Sequence, residues 1–239
     1  MGDDDITRPE TPTAKRRRIV TLEARLATPG EWIDTNQGCS AAVLSALRAE
    51  GKVGVGRYVP LPRNRSAGDI GAEELARICD LVGQCLLFQH VRSPEPGFTG
   101  WRPSHHSGVE DAEAAVDHAL MVGYPQGSHI VLDFENIDDT PQAATKFAID
   151  WQATVRAAGW RAMLYVGFQV PLHALDLYDL PGFDCYASDL GDRRVATRGT
   201  SYLQTRYNVV IAGVGFDTAT MRADALGSLP YVASLAAAA

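Results

Sequence analysis

His129-Ile130-Val131-Leu132-Asp133-Phe134-Glu135-Asn136 is an apolar, β-branched run that closes on two carboxylates one residue apart. Such a run reads as a buried strand, and successive strand side chains point to opposite faces. Asp133 and Glu135 therefore share one face at the C-terminal end of the strand, with Phe134 packed behind them. Two neighbouring carboxylates in a nearly buried setting disfavour dual ionisation, so one is expected to hold a proton while the other is charged. Acid–base chemistry at a glycosidic bond needs that division of labour. Backbone amides or an arginine would satisfy the same pair structurally, so the rest of the chain has to decide between the two readings.

To either side, apolar strands alternate with helical segments, the signature of βα units and a parallel sheet. Strands are expected at 32–36, 53–59, 85–91, 129–136, 162–167, 184–189, 202–208 and 214–217. Helices are expected at 40–50, where Ser40 caps and Gly51 stops the run, at 72–82, at 109–122, and at 140–158. The last opens on Thr140-Pro141, a cap residue followed by proline at the first helical position. Eight strands with intervening helices in 239 residues favour a closed (β/α)8 TIM barrel over an open doubly wound sheet. No G-x-G-x-x-G follows the first strand, so a dinucleotide site has no support. Residues 1–28 are polar and aperiodic and read as a disordered or extended arm, which leaves 29–239 as the barrel domain.

Composition narrows the function classes. Apolar content of 46% and charge of 21% are ordinary for a soluble globular enzyme. With 22 basic against 29 acidic residues, net −7, the chain carries no electrostatic footprint for nucleic acid. The same acidity counts against long-range attraction to an anionic wall polymer. Cys39, Cys79, Cys85 and Cys185 are scattered and read as structural thiols. No run approaches ~18 apolar residues, so no membrane span is expected. Lys15-Arg16-Arg17-Arg18 is followed by too short an apolar stretch for a twin-arginine export signal, and is read as part of the arm. The expected location is cytoplasmic at synthesis, with release or secretion by a non-classical route.

Polar residues recur at strand C-terminal ends, where core packing alone does not justify them. Asp34 lies on the first strand, Tyr165 on the fifth, Tyr186 on the sixth, Gln204 on the seventh, and Asp217 ends the eighth. First and last strands are neighbours in a closed barrel, so Asp34 and Asp217 lie close together, facing Asp133 and Glu135 across the mouth. Four carboxylates on one cleft cannot all be charged cheaply, and at least one should have a raised pKa. Taken singly, Asp217-Thr-Ala-Thr also reads as the start of a last helix. The irregular segment 92–107 follows the third strand and should lie over the barrel mouth, where Trp101 is placed to stack on a sugar ring or to anchor the loop. His105 and His106 lack further ligands at metal spacing and read as solvent-exposed. His90 reads as a core or groove residue, and Arg57 as a potential partner of a barrel carboxylate. Ser188 and Ser201 lack a G-x-S-x-G context.

Five short pieces together resemble the family 25 glycoside hydrolases, muramidases of the lysozyme type, and more closely still their glycoside-hydrolase-like relatives of unknown function. They are Trp32-Ile-Asp-Thr-Asn36, Leu132-Asp-Phe-Glu135, Leu164-Tyr-Val-Gly167, Gln204 within Leu-Gln-Thr-Arg-Tyr, and Gly215-Phe-Asp-Thr218, in family order over 30–217. The resemblance implies a TIM barrel with no metal or cofactor. It places the general acid at Glu135 and the second catalytic carboxylate at Asp133. Asp34 and Asp217 would shape the site and tune those pKa values, while Tyr165 and Gln204 would line the substrate groove. Two departures concern the substrate: 184–189 lacks the tryptophan-rich pattern usual in muramidases, and the proline-bearing loop at 92–107 is long for a compact lysozyme.

The function expected is cleavage of an N-acetylated polysaccharide, peptidoglycan foremost. A catalytically inactive glycan-binding or scaffold barrel is the alternative, and a small-molecule barrel enzyme a third reading. An open groove beside Glu135 would favour hydrolysis. Arg57 clamping the carboxylates under a closed loop would favour the scaffold.

Overall fold

The computed structural model describes residues 21–189 and 195–237. The chain enters as a short strand, β1 (Leu22–Leu26), followed by β2 (Gly30–Thr35), α1 (Ala41–Ala49), β3 (Gly54–Val59), α2 (Ala72–Leu81) and β4 (Gln84–Gln89). After a 3-10 turn at Pro103–His105 come α3 (Gly108–Val122), β5 (His129–Phe134), α4 (Pro141–Ala157), β6 (Arg161–Val166), α5 (Ala174–Tyr178) and β7 (Phe183–Ser188). Three strands finish it: β8 (Tyr202–Ile211), β9 (Val214–Met221) and β10 (Tyr231–Leu235). Strands β2 to β9 close an eight-stranded barrel, with β9 returning to β2 and β4 pairing with both β3 and β5.

The barrel is closed as the strand count implied, but its last turn is not a βα unit. β9 runs antiparallel to both β8 and β2. Ala212 (φ 49°) and Gly213 (φ 81°) sit between paired Ile211 and Val214, and two consecutive left-handed residues form the two-residue hairpin turn that matches strand twist. Asp217-Thr-Ala-Thr accordingly lies within β9 and starts no helix.

Most of the expected N-terminal arm, 1–20, lies outside the described residues. The remainder corrects the expectation: 22–26 form β1, which pairs with β10, and β10 in turn pairs with the first residues of β4. Val232 and Ala27 are buried with the barrel-interior side chains at this end.

Helices form at all four expected places, with Ser40 and Thr140 capping as read from the sequence and Ser107 adding a third cap. The side-chain oxygens of Ser40, Ser107 and Thr140 accept from the backbone N–H groups of Val43, Glu110 and Ala143, satisfying donors a helix start leaves open. Their apolar faces cover outward-pointing strand residues such as Ile33, Val55, Leu132 and Leu164. The barrel interior holds Trp32, Phe88, Val131, Met163 and Tyr202. Gly54 and Gly56 make that filling possible, because a Cβ there would lie 2.5 Å from the Trp32 ring and 2.7 Å from Asp34 Cβ. All four cysteines are buried and unpaired.

Arg57, fully buried, points away from the cleft. Its guanidinium binds Glu74 of α2 (Nε to Oε1, 2.8 Å), the Gly68 carbonyl at 2.7 Å and the Thr35 carbonyl. No helix among the described residues is long and apolar enough to cross a membrane.

Candidate active site

Asp34 and Asp217 are register partners across the antiparallel β2–β9 pair. Asp133 lies on β5 and Glu135 directly follows it. All four line one cleft at the C-terminal mouth of the barrel, formed by adjoining cavities of about 290 and 270 Å³ that share Tyr58, Asp133, Glu135 and Asp217.

The base of the cleft is a hydrogen-bonded chain. Tyr165 donates its hydroxyl to Gln204 Oε1 (2.7 Å), and Gln204 Nε2 donates to Asp34 Oδ2 (3.2 Å). Tyr202 donates to the same oxygen at 2.8 Å. Burial raises the Asp34 pKa to about 6: the bonds from Tyr202, Gln204 and Tyr58 restrain the rise, and the Asp217 charge adds to it.

Asp133 is more strongly perturbed. Burial first, then the charges of Glu135 and Asp34, push it well above the ordinary carboxylate range. Its Oδ1 is buried without a hydrogen-bond partner, a costly arrangement for an ionised group, which fits a neutral carboxyl. Glu135 is raised to about 7, by burial and by the carboxylates of Asp189, Asp217 and Asp34, against a hydrogen bond from the Phe168 backbone. The cleft thus keeps a proton on Glu135 near neutrality beside an Asp34 that ionises at lower pH.

The structure separates the sequence candidates into two groups. Asp34, Asp133, Glu135, Asp217, Tyr165 and Gln204 come together on the cleft. Tyr186 does not: it lies in the layer between barrel and helices and donates its hydroxyl to the Leu177 carbonyl. On β7 the odd-numbered residues Cys185 and Ala187 face inward, so Tyr186 points out. Of the two roles expected for Trp101, stacking on a sugar or anchoring the loop, it has the second. It is 1% exposed, packs edge-on against Phe147, and its indole donates to the Glu135 carbonyl, so it cannot stack on a sugar. His105 is exposed, as expected, and His106 half-buried, and both bind Glu95 within the same loop.

Sequence reasoning missed Asp189, Tyr58, Tyr202, Phe168 and Tyr207. Strand alternation was the available signal for Asp189, two residues beyond inward-facing Ala187, and for Tyr202, two before Gln204. Phe168 and Tyr207 line the cleft as half-exposed aromatics, the type of face on which a sugar ring packs. His90 lines the cleft, stacks on Tyr58 (centroids 4.8 Å apart) and binds Asp69 at 2.9 Å.

Among the described residues one cluster has metal-ligating groups close together, His129, Asp184 and Cys185, at the opposite end of the barrel. His129 Nδ1 accepts from the Tyr231 N–H (2.8 Å) and Nε2 meets Asp184 Oδ1 (2.7 Å). Both ring nitrogens are occupied by protein partners, and the cluster reads as structural.

Residues 45–201 match the model of the Rv2525c-like, glycoside hydrolase-like domain. The chain belongs to that family. Among solved structures of this glycoside hydrolase-like fold, the Mycobacterium tuberculosis Tat-secreted protein Rv2525c, determined with L-tartrate, superposes with a TM-score of 0.60 at 16% identity, covering 82% of this chain and 96% of that one. An uncharacterised B. stearothermophilus protein gives 0.59 at 16% identity over 80% and 95%. The modular autolysin LytC from Streptococcus pneumoniae gives 0.58 at 12% identity, with this chain spanning 46% of it. At such identities the likeness is one of fold. No curated protein matches the chain.

Proposed function

We propose that this glycoside hydrolase-like barrel cleaves an N-acetylated polysaccharide, peptidoglycan foremost, with Glu135 as general acid. The observation that carries the reading is Glu135 itself: it stands on an open cleft with a pKa raised to about 7, so it carries a transferable proton at neutral pH. LytC, a relative in fold, has been solved in complex with a synthetic peptidoglycan ligand, which supports the choice of substrate. Arg57 favours the hydrolase over the scaffold, because it is bonded to Glu74 on the outer side and clamps no cleft carboxylate.

In this reading Glu135 protonates the departing glycosidic oxygen as the C–O bond breaks. Positive charge develops on the sugar ring, and the Asp34 carboxylate with Asp217 supplies the negative field that stabilises it. Asp133, held neutral, is suited to a hydrogen-bonding role: it orients the substrate's acetamido group, whose carbonyl oxygen attacks the anomeric carbon. Glu135, now ionised, then takes a proton from the water that opens the cyclic intermediate. Phe168 and Tyr207 offer ring faces to the sugars on one side of the acid.

Incubation with purified peptidoglycan followed by mass spectrometry of the soluble fraction tests the reading. Disaccharide-peptide fragments with new reducing ends are expected. Intact polymer with measurable binding would replace the hydrolase by a glycan-binding barrel.

A further inference from the structure

The 92–107 connection was expected to lie over the barrel mouth, with Trp101 either stacking on a sugar ring or anchoring the loop. Trp101 anchors it, on the main chain that carries Glu135. We propose that this connection is a brace for the general acid and that Trp101 is the positioning residue at its centre. The proposal rests on the reading of Glu135 as the acid.

Beyond β5 the chain turns through Asn136 at φ 55°, a left-handed conformation that residues with a Cβ adopt rarely and asparagine tolerates better than most. Such a turn needs support, and it is gripped from two sides. On one side the Trp101 indole N–H donates to the Glu135 carbonyl (2.8 Å) and the Trp101 backbone N–H to the Asn136 carbonyl (2.9 Å). The Asp138 N–H returns a bond to the Trp101 carbonyl at 3.0 Å. On the other side Asn136 and Ile137 donate to the carbonyls of Phe168 and Gln169 at 2.8 and 3.0 Å.

Two glycines permit the grip. A Cβ on Gly100 would lie 2.1 Å from the Asn136 carbonyl oxygen, and one on Gly167 would overlap the Glu135 carboxyl. Thr99 joins the two sides, donating its hydroxyl to Asp138 Oδ2 (3.1 Å) and accepting from Gln169 Nε2 (2.8 Å). The Trp101 ring is wedged against Phe147 and Phe134, so the indole N–H is a fixed strut.

Removing the strut leaves a carbonyl short of a partner and loosens the turn on which the acid stands. Glu135 then relaxes toward solvent. Burial is the largest cause of its raised pKa, so the relaxed carboxyl titrates lower and is less often protonated at neutral pH. The groups that face it are Asp34 from β2, Tyr58 from β3, Asp133 from β5, Tyr165 from β6, Asp189 after β7 and Asp217 from β9. None of these is altered by a change at Trp101.

The test is a carbon-13 NMR titration of side-chain-labelled glutamate, with the Glu135 signal assigned by its loss in Glu135→Gln, alongside steady-state kinetics. Trp101→Phe keeps an aromatic ring and removes the N–H. It is expected to lower the Glu135 midpoint by about 0.5 unit or more, with kcat falling about tenfold and KM changing less than about twofold. Thr99→Val, at an exposed position, is expected to give a smaller shift of the same sign, and reads out the brace if Trp101→Phe does not fold. A midpoint that stays put or rises in the folded variants overturns the proposal. Should the native protein show no turnover, a lowered midpoint still upholds the brace, and only the assignment of Glu135 as the acid falls.

Discussion

A β-carbon on Gly167 would lie 2.0 Å from Oε2 of Glu135 and 2.5 Å from its Cβ. The acid is therefore seated against bare backbone at the end of β6, where the Phe168 N–H also reaches it. No side chain fits between them. Gly167→Ala should evict the carboxyl from its seat while leaving the barrel folded, and lower turnover by about 100-fold. Kinetics paired with circular dichroism check both halves of that statement.

The two assigned values fix a pH window. Asp34, at about 6, loses its negative charge as pH falls through that value, and Glu135, at about 7, loses its proton as pH rises through its own. The pH profile of kcat/KM on a soluble oligosaccharide should therefore be bell-shaped, with its maximum between the two. Asp34→Asn should lower the maximum and abolish the acid limb while keeping the alkaline one. An acid limb that survives in Asp34→Asn would assign it to another group.

Raised carboxyl pKa values also bear on stability. A carboxyl whose folded pKa lies above its unfolded value keeps its proton on folding when the unfolded chain has already released it, so it weakens the fold increasingly as pH rises between the two values. For Glu135 that interval runs from the ordinary carboxylate range to about 7. Glu135→Gln should thus be more stable than the native protein at pH above about 7 and lose that advantage as pH falls toward about 4. Urea denaturation at both ends of the interval gives the comparison.

Arg57 and Glu74 form a buried pair whose loss should be purely structural. The guanidinium is fully buried and makes four bonds to Glu74, Gly68 and Thr35. Arg57→Met leaves a buried carboxylate without its cation, at a cost of about 3–5 kcal/mol. Chemical denaturation should show that loss, while the Glu135 titration stays where it is.

The cleft was legible in the sequence where strand periodicity governs. Asp133 and Glu135 share a face because they are two apart, and Asp34 meets Asp217 because a closed barrel makes first and last strands neighbours. The same rule was available for β7, where inward Cys185 and Ala187 lead to Asp189, and following the polar ring of Tyr186 in place of the alternation selected the outward face. The β8–β9 hairpin was hidden because Ala212-Gly213 lacks the asparagine or aspartate that usually announces such a turn. Trp101 obeys no periodicity. Its place follows from contacts to Glu135 and Phe147, 34 and 46 residues away along the chain, which local pattern does not encode. Likewise β1 and β10 find each other across nearly the whole sequence.

The central claim is that Glu135 delivers a proton to a glycosidic oxygen. The most direct measurement is the rate at which reducing ends appear in purified peptidoglycan at about pH 6.5, inside the bell, for the native protein and for Glu135→Gln. The glutamine keeps the shape and loses the proton, so the rate should fall by about 1,000-fold. Equal rates for the two proteins would contradict the account.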